Sequence, residues 1–184
     1  MLEKIKQIKL VVFDSDGVLT DGRVVVNSDG TQSRFFHIHD GGGIYLLKHC
    51  QFHLGIISGK CTDALSLRAA ELGVEFVYQG VLEKVEAMEE ILQKTNLTWQ
   101  EACYVGDDLI DIPVLTQVGF PVAVANAREE VKQASAYITK CPGGQGAVRE
   151  VAELILKTQG KYEAILRKLY QPKHKSPSLQ KKTT

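Results

Sequence analysis

Four aspartates lie where side chains can do chemistry, each at the end of a short apolar run. Asp14 and Asp16 follow the run 10–13, and Asp107 and Asp108 follow another. Crowded carboxylates repel one another unless a cation lies between them, and Mg²⁺ prefers such oxygen ligands. Asp14 and Asp16 are two residues apart in extended chain, so their side chains lean the same way, with one carboxylate available for attack and one for proton transfer. The set predicts a magnesium site beside a nucleophilic carboxylate.

Two further residues could complete the site by binding an anion. Ser58 follows another apolar run and can donate its hydroxyl and backbone N–H to a phosphoryl oxygen, close to a helix start near Thr62. Lys84 opens a helix after Gly80 and can offset negative charge on a nucleophile and a transferred phosphoryl group. Taken alone, Ser58 could be a helix cap and Lys84 a solvated lysine. Together with the aspartates they indicate phosphate chemistry.

Short apolar runs alternate with stretches of helical periodicity along the chain. The runs are 10–13, 54–57, 102–105 and 122–124, and the helical stretches include one through Leu65, Ala69 and Leu72 and one through Val85, Met88, Ile91 and Leu92. Buried strands alternating with helices predict an α/β fold with a doubly wound, mostly parallel sheet. Ligands bind at the carboxyl ends of the strands in such sheets, where the aspartates and Ser58 would converge.

One segment breaks this alternation and predicts a β-hairpin over about residues 22–38. Residues 23–26 and 33–38 are rich in β-formers and flank Asp29-Gly30, a strong turn signal. The hairpin would be an insertion that projects from the sheet. Its exposed strand edges would call for a partner.

The rest of the chain fits a single domain over 1–171. The capping box Thr98-x-x-Glu101 predicts a helix start, and the stretches 148–155 and 162–169 predict the last two helices. Residues 172–184 are polar and contain no acidic side chain, so we expect a disordered tail.

Composition narrows the classes of partner. The sequence has 22 basic and 22 acidic side chains, so no overall field favours nucleic acid or an anionic membrane surface. Charges occupy the first six residues where a signal peptide would need an apolar run, and no apolar run is long enough to span a membrane. The four cysteines lack metal-ligand spacing, so we expect them to be reduced, mostly packed thiols. We expect a cytoplasmic protein.

The order Asp-x-Asp-Gly, Ser-Gly, Lys and Gly-Asp-Asp-x-x-Asp resembles the haloacid dehalogenase superfamily of phosphohydrolases over residues 10–156. The resemblance implies a Rossmann-like fold in which Asp14 is the nucleophile. Asp14 would form an aspartyl phosphate while Asp16 protonates the leaving alcohol, and Asp16 would then activate water to hydrolyse it. Mg²⁺ would be held by the Asp14 side chain, the Asp16 backbone carbonyl and Asp107.

Asp108 and Asp111 have less direct roles in this resemblance. It implies that they orient Lys84 and metal-bound water. Asp111, with Pro113 close behind, could equally cap a helix. Relatives with cap domains insert them after the first motif or between the second and third. Here the hairpin and one helix fill 14–58, and one helix and one strand fill 58–84, so no cap domain is expected.

Finer motifs resemble a capless subgroup of that superfamily. They are the extended first motif 14–22, the hairpin, Tyr78-Gln79-Gly80, residues 106–114 and residues 143–150. Members of this subgroup dephosphorylate 3-deoxy-D-manno-octulosonate 8-phosphate in lipopolysaccharide synthesis, and they are tetramers built through their hairpins. The resemblance therefore implies a small acidic sugar phosphate as substrate and a homotetramer.

It also implies a set of substrate contacts around the catalytic residues Asp14, Asp16 and Lys84. The set comprises Asp16, His37, Ile38, His39, Asp40, Gly41, Ser58, Gly59, Lys60, Arg68 and Lys84. Lys60 and Arg68 suit an anionic ligand, although either could be an ordinary surface charge. His37 and His39 could instead be hairpin surface residues without a role.

Two alternatives stay open. His39, Lys60 and Gln145 stand where the subgroup favours arginine, the side chain that grips carboxylate or phosphate with two hydrogen bonds. The substrate could therefore be the 9-phosphate of an N-acylneuraminate or related nonulosonate. From another class, a signalling receiver domain also combines a phosphoacceptor aspartate, acidic magnesium ligands and a lysine. The pairing of Asp14 with Asp16 argues against it, because turnover needs an acid and a base.

Overall fold

The computed structural model describes residues 1–170 of the chain. Its strands are β1 (Leu10–Phe13), β2 (Val25–Val26), β3 (Gln32–Ser33), β4 (His53–Ser58), β5 (Phe76–Gln79), β6 (Ala102–Gly106), β7 (Phe120–Ala123) and β8 (Tyr137–Ile138). Its helices are α1 (Leu2–Gln7), α2 (Ile38–His49), α3 (Asp63–Leu72), α4 (Lys84–Thr95), α5 (Ile112–Leu115), α6 (Glu129–Gln133), α7 (Ala147–Thr158) and α8 (Tyr162–Tyr170).

Six strands form one sheet in the order β5-β4-β1-β6-β7-β8, and every pairing in it is parallel. The chain builds outward from β1 through β4 and β5, then crosses to β6 and continues to β8. The predicted doubly wound α/β fold is confirmed. The reversal of strand order lies between β1 and β6, and ligands bind at such switch points in open α/β sheets.

Burial explains why every residue of β1 is apolar. Leu10, Val11, Val12 and Phe13 are each 0% exposed, as expected for a central strand covered on both faces. Helix α2 packs against α7, which also contacts α1 and α8, while α4 packs against β4 and α5. These helices supply the apolar faces that cover the sheet.

The hairpin exists but is shorter than predicted. Strands β2 and β3 pair antiparallel over two residues each, and one further bridge joins Thr20 to Phe36. The prediction of β-structure through Ile38 is wrong, because Arg34 turns inward and His37 is the N-cap of α2. The capping box at Thr98 is present but closes a single 3₁₀ turn. Three short elements, α1, α6 and β8, were not predicted.

Within residues 1–170, no cap domain interrupts the segments between β1 and β4 or between β4 and α4, as predicted. None of the helices in this described part of the chain is long and apolar enough to cross a membrane. The predicted tail, 172–184, and the predicted domain end at 171 lie outside the described residues.

Candidate active site

The carboxyl ends of β1 and β6 bring together the residues predicted to do chemistry. Asp14 follows β1 and donates its backbone N–H to the Val105 carbonyl of β6 at 3.0 Å. Asp107 follows β6 directly. One carboxylate oxygen from each of Asp14, Asp107 and Asp111 lies within 4.8 Å of the others. The predicted convergence of the two acidic motifs at one rim of the sheet is therefore present.

Lys84 forms a buried bridge between two of these carboxylates. Its Nζ lies 2.8 Å from Asp14 Oδ1 and 2.7 Å from Asp111 Oδ1, and its side chain is 1% exposed. Burial opposes protonation of the amine, but the charges of Asp14 and Asp111 outweigh it and raise the pKa of Lys84. Lys84 thus stays cationic beside the predicted nucleophile, as its predicted role requires.

Asp111 is used entirely by the protein. Its Oδ1 accepts hydrogen bonds from Lys84 and from the Tyr104 hydroxyl, and its Oδ2 accepts from the backbone N–H groups of Asp107 and Asp108. The side chain is fully buried. Four donors occupy about all the lone-pair positions of a carboxylate, so Asp111 orients Lys84 and does not serve as a metal ligand. It also closes the turn after β6, so both sequence interpretations of Asp111 describe part of its role.

The remaining carboxylates fit a divalent cation. Asp107 Oδ1 is buried and has no hydrogen-bond partner among the described residues. The pKa of Asp14 is raised to about 6, mainly by burial and next by repulsion from Asp111. The pKa of Asp107 is raised to about 8, mainly by burial and next by repulsion from Asp14. A cation between Asp14 and Asp107 would satisfy the orphaned oxygen and relieve the repulsion. Asp108 is exposed, and its carboxylate accepts from the Leu109 N–H.

Close backbone packing fixes the loop after the nucleophile. Gly17 has φ +92°, and a Cβ at this position would overlap the Asp107 carboxylate. Gly143, in the loop before α7, packs so closely on the Gly17 carbonyl that a Cβ there would overlap it as well. The Gly144 N–H also donates to the Val18 carbonyl at 2.9 Å. The first motif is therefore held in place by Asp107, just after β6, on one side and by the segment before α7 on the other.

A cleft of about 380 Å³ opens over these groups. It is lined by Asp14, Asp16, Gly17, Gly22, Val24, Ser58, Gly59, Lys60, Leu82, Lys84, Asp107, Asp108 and Ile110. Ser58 ends β4, and its Oγ accepts the Lys60 N–H at 3.3 Å. The structure thus brings the predicted catalytic residues, the predicted metal ligands and the contacts at Ser58, Gly59 and Lys60 into one open cleft.

The other predicted substrate contacts lie elsewhere in a single chain. His37, Asp40, Gly41 and Arg68 line a separate small pocket, while Ile38 and His39 are exposed. Asp40 is buried and accepts hydrogen bonds from the Gly146 and Arg149 backbone N–H groups at the start of α7. The structure therefore gives Asp40 a part in anchoring α7, and one chain does not bring these six residues to the cleft.

Arg34 is a residue that sequence reasoning missed. Its side chain is 1% exposed, and its Nε donates to Asp16 Oδ1 at 2.8 Å. Tyr104, which orients Asp111, was missed as well. Arg34 belongs to the hairpin and Tyr104 to an apolar strand, so no spacing rule connects either to the acidic motifs. The available signal was an arginine directly before Phe35 and Phe36, and the second arginine of the hairpin, Arg23, shows how weak that signal was.

Comparisons with known proteins agree with this geometry. The model of the haloacid dehalogenase-like hydrolase family matches residues 55–151. The chain is 38% identical over 163 residues to 3-deoxy-D-manno-octulosonate 8-phosphate phosphatase KdsC of Escherichia coli K12, covering 89% of this chain and 87% of that protein.

Solved structures extend the likeness to the whole described fold. The phosphatase of the same name from Moraxella catarrhalis, in complex with magnesium, phosphate and KDO, has a TM-score of 0.89 and 39% identity, covering 91% of this chain and 96% of that one. The Yersinia pestis phosphatase has a TM-score of 0.87 and 39% identity, covering 88% of each chain. The α/β scaffold is thus similar to that of these phosphatases.

Proposed function

Because the chain belongs to the haloacid dehalogenase-like hydrolases, we propose that it is a Mg²⁺-dependent phosphatase that hydrolyses 3-deoxy-D-manno-octulosonate 8-phosphate. The observation that carries the proposal is the buried bridge from Asp111 through Lys84 to Asp14, of which Lys84 and Asp14 line the cleft. A carboxylate held against a lysine beside a cation site is suited to attack phosphorus. The products would be KDO and inorganic phosphate, within lipopolysaccharide synthesis.

Asp14 acts as the nucleophile in the proposed reaction. One of its carboxylate oxygens attacks phosphorus, and the bond from phosphorus to the sugar oxygen breaks with its electron pair leaving on that oxygen. Asp16, two residues on, gives its proton to the leaving oxygen. In the second step Asp16 takes a proton from water, the water oxygen attacks phosphorus, and Asp14 is released together with inorganic phosphate.

Charge in the cleft is balanced by Lys84 and the cation. Lys84 offsets the negative charge that spreads over the phosphoryl oxygens in the transition state. Asp14 and Asp107 carboxylates and the Asp16 backbone carbonyl would hold Mg²⁺, which when bound shields phosphate from the attacking anion. Ser58, Gly59 and Lys60 line the same cleft and are placed to bind phosphate or the acidic sugar.

The alternatives differ in support. The nonulosonate 9-phosphate is a second acidic substrate for comparison. Lys60 lines the cleft where the capless subgroup favours arginine, and a lysine does not bind carboxylate or phosphate with the two parallel hydrogen bonds of a guanidinium. The receiver-domain alternative is not supported, because the family and the curated relatives are hydrolases.

Phosphate release tests the function directly. Wild-type protein is incubated with each of the two sugar phosphates, with magnesium and then with a chelator. We expect many turnovers of the octulosonate ester with magnesium and none after chelation. Asp14→Asn should abolish turnover, while Asp63→Asn, which changes an exposed aspartate of α3, should retain it. Full activity of Asp14→Asn would reject the mechanism, and faster release from the nonulosonate ester would change the substrate.

We also propose a cytoplasmic homotetramer that assembles through the hairpin. Val25, Val26, Phe35 and Ile38 are exposed apolar side chains on or next to the hairpin, which favours a partner there. Contacts from residues 37–41 and Arg68 to substrate are proposed for this assembly, in which they can face the cleft of a neighbouring copy. All four cysteines are unpaired, which supports a reducing compartment.

A further inference from the structure

Arg34 joins the hairpin to the proposed acid and base of the reaction. It follows β3 directly and returns toward the sheet, with its side chain buried at 1% exposure. Its Nε donates to Asp16 Oδ1 at 2.8 Å, and its Nη1 donates to the Gln32 Oε1 at 3.2 Å. The guanidinium is therefore held at two points, by Gln32 of its own strand and by Asp16.

The geometry of this contact leaves one oxygen of Asp16 for chemistry. A guanidinium is planar and always charged, so it can orient a carboxylate without competing for the proton. Because Arg34 engages Oδ1, Oδ2 is the oxygen that can carry a proton to the leaving group. The Asp16 side chain is 24% exposed and lines the cleft, so its free oxygen can reach a substrate.

Arg34 is poorly suited to stabilising the fold. Its Nη2 is buried without a hydrogen-bond partner among residues 1–170, and a buried unsatisfied donor destabilises the folded state. Replacing a buried ion pair by apolar groups is often neutral or stabilising. A buried, incompletely paired charge in this place therefore points to a role in the reaction.

We propose that Arg34 is a positioning residue for proton transfer by Asp16, an inference that rests on the proposed phosphatase function. It holds the Asp16 carboxylate so that Oδ2 faces the leaving oxygen in the first step and the attacking water in the second. Since Arg34 is carried by the hairpin, the insertion itself contributes to catalysis.

Leaving-group dependence separates this role from a structural one. The ratio kcat/KM reports the steps up to the release of the leaving group, and a good leaving group departs without a proton. Arg34→Met should lower kcat/KM for an alkyl phosphate by about 10²-fold or more, as expected for losing general acid catalysis. For 2,4-dinitrophenyl phosphate the same variant should stay within about threefold of wild type. Arg34→Lys, which keeps one charged donor, should recover part of the alkyl activity.

Matched variants complete the experiment. Arg23 belongs to the same hairpin, is 77% exposed and pairs with Asp21. Arg23→Met should leave kcat/KM unchanged for both substrates. Asp16→Asn should show the same leaving-group pattern as Arg34→Met. The double variant should be no slower than Asp16→Asn alone, because both changes remove one function.

Each outcome decides between the roles. Equal losses on both esters, or no loss on either, would overturn the positioning role. If Arg34→Met does not fold, by circular dichroism and thermal melting, the leaving-group dependence of Arg34→Lys decides in its place, with a loss confined to the alkyl ester expected. Failure of the wild-type protein to hydrolyse either ester would instead reject the proposed function.

Discussion

Asp111 is the residue on which both stability and charge placement in the cleft depend. It accepts four hydrogen bonds while fully buried, two of them from the Lys84 amine and the Tyr104 hydroxyl. Asp111→Asn removes the negative charge that pairs with buried Lys84. It also replaces one accepting oxygen by an NH₂ group, which would face a hydrogen-bond donor. We expect the free energy of unfolding to fall by about 3 kcal/mol, and phosphatase activity to fall with it. Urea denaturation and phosphate release measure the two effects.

Asp108 provides the matched control within the same motif. Its exposed carboxylate accepts from the Leu109 N–H and, in a capping box, from the Asp111 backbone N–H, and asparagine caps a turn nearly as well. Asp108→Asn should change the free energy of unfolding by less than about 0.5 kcal/mol. Equal destabilisation by the two substitutions would show that the buried network does not carry the stability assigned to it.

The acidic rim also predicts a pH dependence of the metal-free protein. Burial raises the carboxyl pKa values from 3.8 in the unfolded chain to about 6 for Asp14 and about 8 for Asp107. The folded state therefore binds more protons than the unfolded state in this window, so stability falls as pH rises. With chelator, the melting temperature should be lower at about pH 8 than at about pH 5.

Magnesium should reverse this trend. The ion binds deprotonated carboxylates, so its stabilisation should grow with pH as fewer protons are displaced. Melting curves at both pH values, with magnesium and with chelator, test the pair of expectations. A metal-free melting temperature that rises across this range would contradict the raised pKa values of the two aspartates.

At the scale of elements, the turn after β1 is the feature most sensitive to substitution. Gly17 has φ +92° and lies against the Asp107 carboxylate, where a methyl group would overlap it. Gly17→Ala must displace the first motif or Asp107. Displacements of about 1 Å in a catalytic site can cost about 10²-fold, so we expect a loss of phosphatase activity of that order.

A matched substitution at Gly160 separates the effect of backbone strain from the effect of the steric clash at Gly17. It lies between α7 and α8 with φ +68°, and a Cβ there would have no atom within 4 Å. Gly160→Ala should therefore cost about 1 kcal/mol of stability from strain alone and keep full activity. Thermal melting and phosphate release on both variants make the comparison. Equal activity of the two variants would mean that contact with Asp107 is unimportant.

Sequence patterns predicted the elements that are long or wholly buried. Strands β1, β4 and β6 follow from apolar runs, and helices α3, α4 and α7 from their periodicity. Strand β8 has only two residues and α1 only six, too few for either period to show. The hairpin was overextended because its β-forming residues continue past Ser33, whereas burial of Arg34 ends the pairing.

The candidate site was predictable to the extent that it lies at strand ends. Asp14 and Asp107 follow strands and Ser58 ends one, so parallel topology alone brings them together. Arg34 and Tyr104 were not predictable, because their contacts depend on hairpin register and on which buried hydroxyl faces Asp111. Tertiary pairing of this kind leaves no period in the sequence.

At the scale of the whole molecule, the hairpin is where an oligomer would form. Val26 is 69% exposed on β2, and Ile38 is 77% exposed just beyond the hairpin. Val26→Lys would place a charge in the proposed contact, and burying an unpaired charge is costly. We expect the proposed tetramer to dissociate and activity on the sugar phosphate to fall, as measured by sedimentation and phosphate release.

An exposed apolar residue at the edge of the main sheet, outside the hairpin, provides the comparison. Ile138 lies on β8, at the edge of the six-stranded sheet, and is 46% exposed. Ile138→Lys should leave the sedimentation coefficient and activity unchanged. A wild-type protein that sediments as a fully active monomer would contradict assembly through the hairpin.

The packing of Gly143 on Gly17 has a consequence for biosynthesis. A ribosome translates the first motif early and the loop before α7 late, and chains generally begin to fold from the amino end. The nascent sheet can form β1 and β4 while the nucleophile still lacks the backbone that fixes its loop. The enzyme would thus acquire its activity only in the closing phase of translation, and unfinished chains would be inert toward cellular phosphate esters.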